Sequence, residues 1–234
     1  MILNRNRSLK IAGILLLSLI ASGCVTTPPT EYLSKQEAYG NFYEEKPKTV
    51  LVVPAINHST AADAGNYYAA TVAEPLTKQG FYVLPIAITD QILNEAGISD
   101  GAQLRDVPLS RLGTLFGCDA VLYVTITLWD TNYSVMAGNV VVELNYRMVS
   151  TKTSEPLWVY QNKVVVNTTG SSNNGLVGML IETAIKTAQQ DYLPVAQMVN
   201  NSSMHTIPAG QYHTAFGKDA MDKVVNPNHL PSQE

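Results

Sequence analysis

Apolar and polar residues alternate over three successive segments in the second half of the chain. In Asp119–Asp130 one face would carry Ala120, Leu122, Val124, Ile126 and Leu128, and the other Val121, Tyr123, Thr125, Thr127 and Trp129. Val140–Val149 sets Val142, Leu144, Tyr146 and Met148 against Glu143, Asn145 and Arg147. A period of two residues is that of a strand with one buried face. With Leu157–Val166 as a third strand, the pattern predicts an antiparallel meander.

The first half of the domain predicts a strand, a helix and a second strand. Thr49–Asn57 and Phe81–Ile86 are short apolar runs that fit buried strands. Between them an apolar stripe recurs at helical spacing: Tyr68, Val72 and Leu76, with Asp63 near the helix start. Pro75 lacks an N–H and should kink or restart this helix, and Gly80 should end it. This order of elements predicts a parallel pair of strands.

Helices are also predicted over Thr89–Ala96 and Leu109–Phe116. A last amphipathic helix is predicted from one stripe: Val177, Leu180, Ile181, Ala184, Ile185 and Ala188. The fold class is therefore α/β, with a single mixed-sheet domain over residues 46–198. Its order is β-α-β, then helices, then a three-strand antiparallel meander closed by a C-terminal helix. Residues 199–234 are predicted to be a C-terminal tail whose last part is flexible.

The N-terminus predicts a lipoprotein signal peptide over residues 1–23. A basic start precedes about ten apolar residues, Ile11–Ile20, which are too few for a helix that needs roughly 20 to cross a bilayer. The following Ala-Ser-Gly-Cys resembles the bacterial lipobox, in which the cysteine, here Cys24, is acylated. Because Val25 and not Asp follows Cys24, the sorting rule of that system implies the outer membrane. Residues 24–45 are then expected to be a lipid-anchored tether.

Charge and composition exclude some functions and do not favour catalysis. The net charge of −4 becomes −7 when the three positive charges of residues 1–23 are removed, so no nucleic-acid partner is expected. Apart from Cys24, Cys118 is the only cysteine, and its place before an aliphatic strand predicts a buried free thiol. The four histidines have no metal-ligand spacing. We predict no catalytic residue, no metal and no cofactor.

Four segments together resemble a known family: EPLTKQGFYVLPIAIT, DAVLYVTITLW, SSNNGLVGMLIETAI and IPAGQYH. The chain is similar to bacterial outer-membrane lipoproteins of the neisserial surface-antigen type, which are associated with CsgG-like secretion lipoproteins. The resemblance implies a fold similar to the N-terminal domain of TolB. It also implies an accessory role in an envelope transport, secretion or surface-assembly system. It supplies no catalytic residues, because the family's activity is undefined.

The leading hypothesis is a non-catalytic lipoprotein that binds protein partners while anchored in the outer membrane, facing the periplasm or the cell surface. Its interface candidates share the less aliphatic face of the predicted sheet: Tyr123, Trp129, Glu143 and Arg147. The expected partners are the lipid bilayer, through acylated Cys24, and a protein, either a second copy or a CsgG-like lipoprotein. The alternative is a periplasmic hydrolase that uses His58 with Ser59 and Asp63, although a strand-to-helix loop with helix-capping residues explains the same residues more simply. A small-ligand or lipid carrier is a third hypothesis.

Overall fold

The computed structural model describes residues 31–134, 137–167 and 192–229 of the chain. Its helices are α1 Lys35–Ala38, α2 Gly40–Glu45, α3 Ala64–Lys78, α4 Ile86–Glu95, α5 Leu109–Phe116 and α6 Leu193–Met204. Its strands are β1 Tyr32–Ser34, β2 Thr49–Val52, β3 Ile56–Asn57, β4 Tyr82–Val83, β5 Ala120–Ser134, β6 Ala137–Ser150, β7 Pro156–Asn167 and β8 Lys223–Val225. The helix predicted over 177–188 and the acylation site Cys24 lie outside the described residues.

The main sheet is mixed, in the order β4-β2-β5-β6-β7, with β3 paired beside β5. β2 is parallel to both β4 and β5, whereas β5, β6 and β7 form an antiparallel meander. The single mixed α/β domain and its parallel first strands are thereby confirmed. The strand predicted over Thr49–Asn57 is two short strands, because Pro54 has no N–H to donate to a ladder.

One face of the sheet, which we call the inner face, packs against α3 and α6. Tyr68, Val72 and Leu76 of α3 are buried as the helical spacing predicts, together with Leu122 and Tyr146 of the sheet. α3 does not restart at Pro75 but runs on to Lys78. Because the helix ends three residues later, the proline removes a hydrogen bond only near the end, while its ring is buried in the core.

A β-bulge in β5 changes the face on which Trp129 lies. Up to Ile126 each residue of β5 opposes one residue of β6, but the register shifts between Ile126 and Leu128. The extra residue, Thr127, reverses the alternation that follows. Trp129 therefore pairs with Val142 on the inner face and is only 2% exposed. The prediction that Trp129 shares a face with Tyr123 is wrong for this reason.

The opposite, outer face of the sheet is covered over part of its width. A second apolar cluster lies there, formed by Leu51, Val53, Leu93, Leu104, Leu112, Cys118 and Val121. α4, α5 and the short 3-10 helix Gly101–Leu104 supply its outer wall. Cys118 is a buried free thiol, and burial raises its pKa to about 11, so the thiol is protonated at neutral pH.

The segment predicted to be a tether over residues 24–45 is folded onto the domain from Glu31 onward. β1 pairs antiparallel with β8 near the other end of the chain. Ser34 and Glu37 form a capping box at the start of α1, and Phe42 of α2 is buried in the main core. Predicted domain boundaries at residues 45 and 198 therefore do not match the structure, since α6 also crosses the second one.

A buried ion pair joins the two chain ends. The Lys35 ammonium is 3.0 Å from the Asp219 carboxylate, and their side chains are 8% and 6% exposed. Asp219 also accepts hydrogen bonds from the Ala209 N–H at 2.8 Å and the Tyr43 hydroxyl at 3.1 Å. Lys35 donates a further one to the Ile207 carbonyl at 3.2 Å. The tail beyond residue 199 is thus bonded through Asp219 to the first described helices of the chain.

The sequence IPAGQYH, Ile207–His213, is held against the end of α3. Gly80 has a φ of +87° and ends that helix as predicted. The Gly210 N–H donates to the Gln79 carbonyl at 2.8 Å, and the Tyr212 N–H donates to the Gly80 carbonyl at 3.0 Å. A Cβ at Gly210 would collide with the Gly80 carbonyl. This segment therefore attaches the C-terminal part of the described chain to the end of α3.

Candidate functional site

Polar side chains follow one another across the outer face of the meander. Tyr123 of β5 lies opposite Arg147 of β6, and Thr125 lies opposite Asn145. On the next strand Gln161 pairs with Asn145. Because side chains directly opposite each other project to the same side of a sheet, these residues form one surface. That surface lies beside the second apolar cluster, against which Tyr123 packs.

A groove of about 360 Å³ lies where this polar surface meets the wall formed by the 3-10 helix and the start of α5. Ten residues line it: Ile56, Arg105, Val107, Leu109, Tyr123, Thr125, Asn145, Arg147, Val149 and Ser154. Its floor is the sheet, and its wall is held in place because Leu104 and Leu112 are buried against Val121. Its volume falls within the range of about 300–1,000 Å³ typical of ligand pockets. We call this feature the outer-face groove.

Two guanidinium groups line the outer-face groove without a carboxylate beside them. Arg105 and Arg147 are both exposed and make no ion pair or side-chain hydrogen bond with any described residue. None of the ten lining residues is an Asp or a Glu. In a chain of net charge −4, the groove is therefore a local concentration of positive charge.

Asn145 places an unsatisfied acceptor at the floor of the groove. Its Oδ1 is shielded from solvent and has no hydrogen-bond partner in the described part of the chain. An unpaired buried group of this kind costs on the order of 1–3 kcal/mol, a cost that a ligand donor removes when the Asn145 side chain turns toward the groove.

Tyr123 supplies the aromatic surface of the groove and is half-buried. Burial raises the pKa of its hydroxyl, and the nearby Arg147 guanidinium acts in the opposite direction. The hydroxyl is thus protonated at neutral pH. It can donate one hydrogen bond while the ring provides apolar contact.

Glu143 shares the outer face but is already paired within the chain. Its Oε1 accepts a hydrogen bond from Gln161 at 2.9 Å, and its Oε2 lies 3.4 Å from the Lys163 ammonium. Of the four interface candidates from the sequence, the structure brings Tyr123, Glu143 and Arg147 together on one face. It places Trp129 on the other face, and only Tyr123 and Arg147 line the groove.

The residues of the predicted hydrolase site do not form a catalytic arrangement. The Ser59 hydroxyl donates to the Asn57 side chain at 2.7 Å and accepts from the Ala61 N–H at 3.3 Å, which makes it part of a turn. His58 is exposed, and no hydrogen bond joins its ring to Ser59 or Asp63 among the described residues. A nucleophile needs a base within hydrogen-bond reach, so this geometry does not favour the hydrolase hypothesis.

Comparison with known proteins gives the same family as the sequence motifs. The family described as "Putative lipoprotein GNA1162-like" matches residues 37–214. The chain belongs to this family. A curated relative, the putative lipoprotein NMB1124/NMB1162 of Neisseria meningitidis serogroup B, is 27% identical over 180 residues, which cover 77% of this chain and 83% of the relative. The family resemblance predicted from the sequence is confirmed.

A solved structure of the GNA1162-like family also supports the fold. The crystal structure of lipoprotein GNA1162 from Neisseria meningitidis is similar with a TM-score of 0.51 and 30% identity, over 62% of this chain and all of that one. The matched family range, 37–214, includes every residue that lines the outer-face groove. It excludes Cys24, Lys35 and Asp219, so the ion pair between the chain ends lies outside it.

Within residues 31–134, 137–167 and 192–229, no helix has the length and apolar character needed to cross a bilayer. Over the same ranges, no three His, Cys, Asp or Glu side chains are grouped as ligands for one metal ion. Arg105 and Asn145 line the groove but were not among the four interface candidates predicted from the sequence. The alternation of polar and apolar residues in β6 could have indicated Asn145, whereas no pattern in the sequence indicated Arg105.

Proposed function

We propose that this GNA1162-like protein is a non-catalytic lipoprotein, anchored in the outer membrane through Cys24, that binds a protein partner through its outer face. Its role would be that of an accessory component in an envelope transport, secretion or surface-assembly system. The observation that carries the proposal is the outer-face groove, where Tyr123 and two arginines surround an amide, and neither the arginines nor the amide oxygen has a side-chain partner among the described residues. Partner-binding surfaces are enriched in tyrosine and arginine, which often contribute most of the binding free energy.

Photo-crosslinking in intact cells tests this surface. We expect benzoyl-phenylalanine at Val159, which lies opposite Arg147 on the outer face, to yield an adduct of higher mass. The matched control position is Met221, which is 77% exposed but lies in the C-terminal tail. Adding Tyr123→Ala or Arg147→Ala to the Val159 probe should reduce the adduct severalfold, because hot-spot residues cost ~2 kcal/mol or more when truncated.

The mass of the adduct separates the two partner hypotheses. An adduct of twice the chain mass indicates a second copy, and any other mass indicates a different protein, such as a CsgG-like lipoprotein. If Val159 and Met221 give the same adducts, or if Val159 gives none, the outer face is not the partner-binding surface.

The membrane anchor is tested separately at Cys24. We expect Cys24→Ser to abolish incorporation of labelled palmitate and to shift the protein out of the outer-membrane fraction. The reason is that a diacylated cysteine contributes ~0.8 kcal/mol for each buried methylene, which a serine cannot replace. Cys118→Ser serves as the control. It should leave palmitate labelling unchanged, because Cys118 is buried in the domain. Equal labelling and fractionation of Cys24→Ser would disprove the anchor.

A further inference from the structure

We propose that the outer-face groove takes an acidic segment of the protein partner, with carboxylates bound by Arg105 and Arg147 and a donor group facing Oδ1 of Asn145. This inference rests on the proposed function and specifies the chemistry of the partner. Three independent features support it: two guanidiniums without an ion pair in the described part of the chain, the shielded amide oxygen and the apolar lining between them.

The charges of the groove select an anionic occupant. Arg105 comes from the segment between the 3-10 helix and α5, and Arg147 comes from β6, so two separate elements direct positive groups at one groove. Lys163 is another positive group on this face, but it is neutralised because its ammonium lies 3.4 Å from the Glu143 carboxylate. Guanidinium groups bind carboxylates through paired hydrogen bonds, and neither arginine has such a partner in the described chain.

The shielded Oδ1 of Asn145 favours a peptide over a simple anion. An isolated carboxylate ion or a phosphodiester group has only acceptors to offer, and it cannot satisfy another acceptor. A peptide carries backbone N–H donors next to its acidic side chains, so it can pair with Asn145 and the arginines together. The same argument disfavours a phospholipid headgroup without amino or hydroxyl donors.

The remaining lining supplies apolar contact for such a segment. Val107, Leu109 and Val149 are half-buried or buried at the groove, and the Tyr123 ring lies beside them. An apolar side chain between or beside the acidic residues of the partner would bury this surface. The expected motif is therefore a short acidic and aliphatic sequence.

The test uses the full-length acylated protein in detergent micelles and fluorescein-labelled octapeptides. Each peptide carries two glutamates, zero to three residues apart, in a valine and serine background, and a control series carries glutamine instead. We expect saturable polarisation binding for at least one glutamate spacing and at least tenfold weaker binding for its glutamine counterpart. Binding should also weaken as the salt concentration rises.

Three variants locate the binding in the groove. Arg105→Gln and Arg147→Gln should each weaken binding about fivefold, as expected for a partly exposed ion pair. Asn145→Asp adds a negative charge without changing the shape of the side chain, and it should weaken peptide binding about tenfold. Arg111→Gln is the matched control, because Arg111 is an exposed arginine of α5 outside the groove lining, and it should bind as the wild type does. Melting temperatures confirm that each variant is folded.

Several results would overturn the inference. Equal losses in Arg111→Gln and Arg147→Gln would indicate general attraction by surface charge. Displacement of the peptides by dihexanoyl-phosphatidylglycerol, with no change in Asn145→Asp, would indicate a lipid headgroup site. If no glutamate peptide binds while the Val159 cross-link persists in cells, the partner docks on this face without its carboxylates. The proposed function would then be retained, and the proposal of an acidic segment would be rejected.

Discussion

Asp219→Ala is expected to destabilise the domain by about 3–5 kcal/mol, the usual cost of removing one partner of a buried ion pair. The substitution would leave the Lys35 ammonium buried with only the Ile207 carbonyl as a described partner. It would also remove the acceptor of the Ala209 N–H and the Tyr43 hydroxyl. Urea unfolding of the full-length protein in detergent measures the change.

Asp222→Ala is the matched control for this loss. Asp222 is an exposed aspartate in the same tail, and its replacement should change stability by no more than about 0.5 kcal/mol. In a double-mutant cycle, Lys35→Met combined with Asp219→Ala should cost much less than the sum of the single changes, because no buried charge is left unpaired. Additive effects in that cycle would contradict a coupled pair.

The pH dependence of the same site has a defined sign. Burial acts to raise the pKa of Asp219, but the Ala209 N–H, the Lys35 ammonium and the Tyr43 hydroxyl outweigh it, so the pKa lies below the ordinary value of 3.8. The stabilisation is therefore complete above that value and is lost as the pH falls through the lower pKa of the folded state. The stability gap between wild type and Asp219→Ala should narrow only in that acidic range.

The alternation of β5 shows how far a sequence pattern can determine a face. Leu122, Val124 and Ile126 were assigned correctly to a common buried face. The bulge at Thr127 could not be foreseen, because Leu128 and Trp129 are both apolar and the segment contains no Gly or Pro to mark a break. With or without the bulge, an apolar side chain, Trp129 or Leu128, would lie on the inner face. The packing of the whole domain therefore determines which of the two does.

The candidate site was partly predictable for the same reason. Asn145 and Arg147 follow from the clean polar alternation of β6, and the opposition of Tyr123 and Arg147 follows from the meander. Arg105 enters the groove only because Leu104 and Leu112 anchor their segment on the outer face. The Lys35–Asp219 pair joins residues 184 positions apart, a separation over which local periodicity carries no information.

Trp129→Ala is expected to cost about 3–5 kcal/mol of stability, as truncation of a buried tryptophan does. The indole stacks on Tyr67 with ring centroids 5.8 Å apart, and the Tyr192 ring meets its edge at 6.4 Å. These contacts lie on the inner face, so the loss should appear in unfolding. Cross-linking from Val159 should stay unchanged once it is corrected for the folded fraction.

Trp129→Phe separates the core role of this residue from an interface role. Phenylalanine keeps most of the aromatic contact and removes the indole N–H, which is enclosed without a hydrogen-bond partner among the described residues. The variant should therefore lose less stability than Trp129→Ala and keep the full yield of the Val159 adduct. Tyr123→Ala should lower the adduct even after correction for the folded fraction, because this half-buried side chain lines the groove. If Trp129→Phe remained stable and lost the adduct, Trp129 would belong to the partner surface after all, and the inner face would have to open for binding.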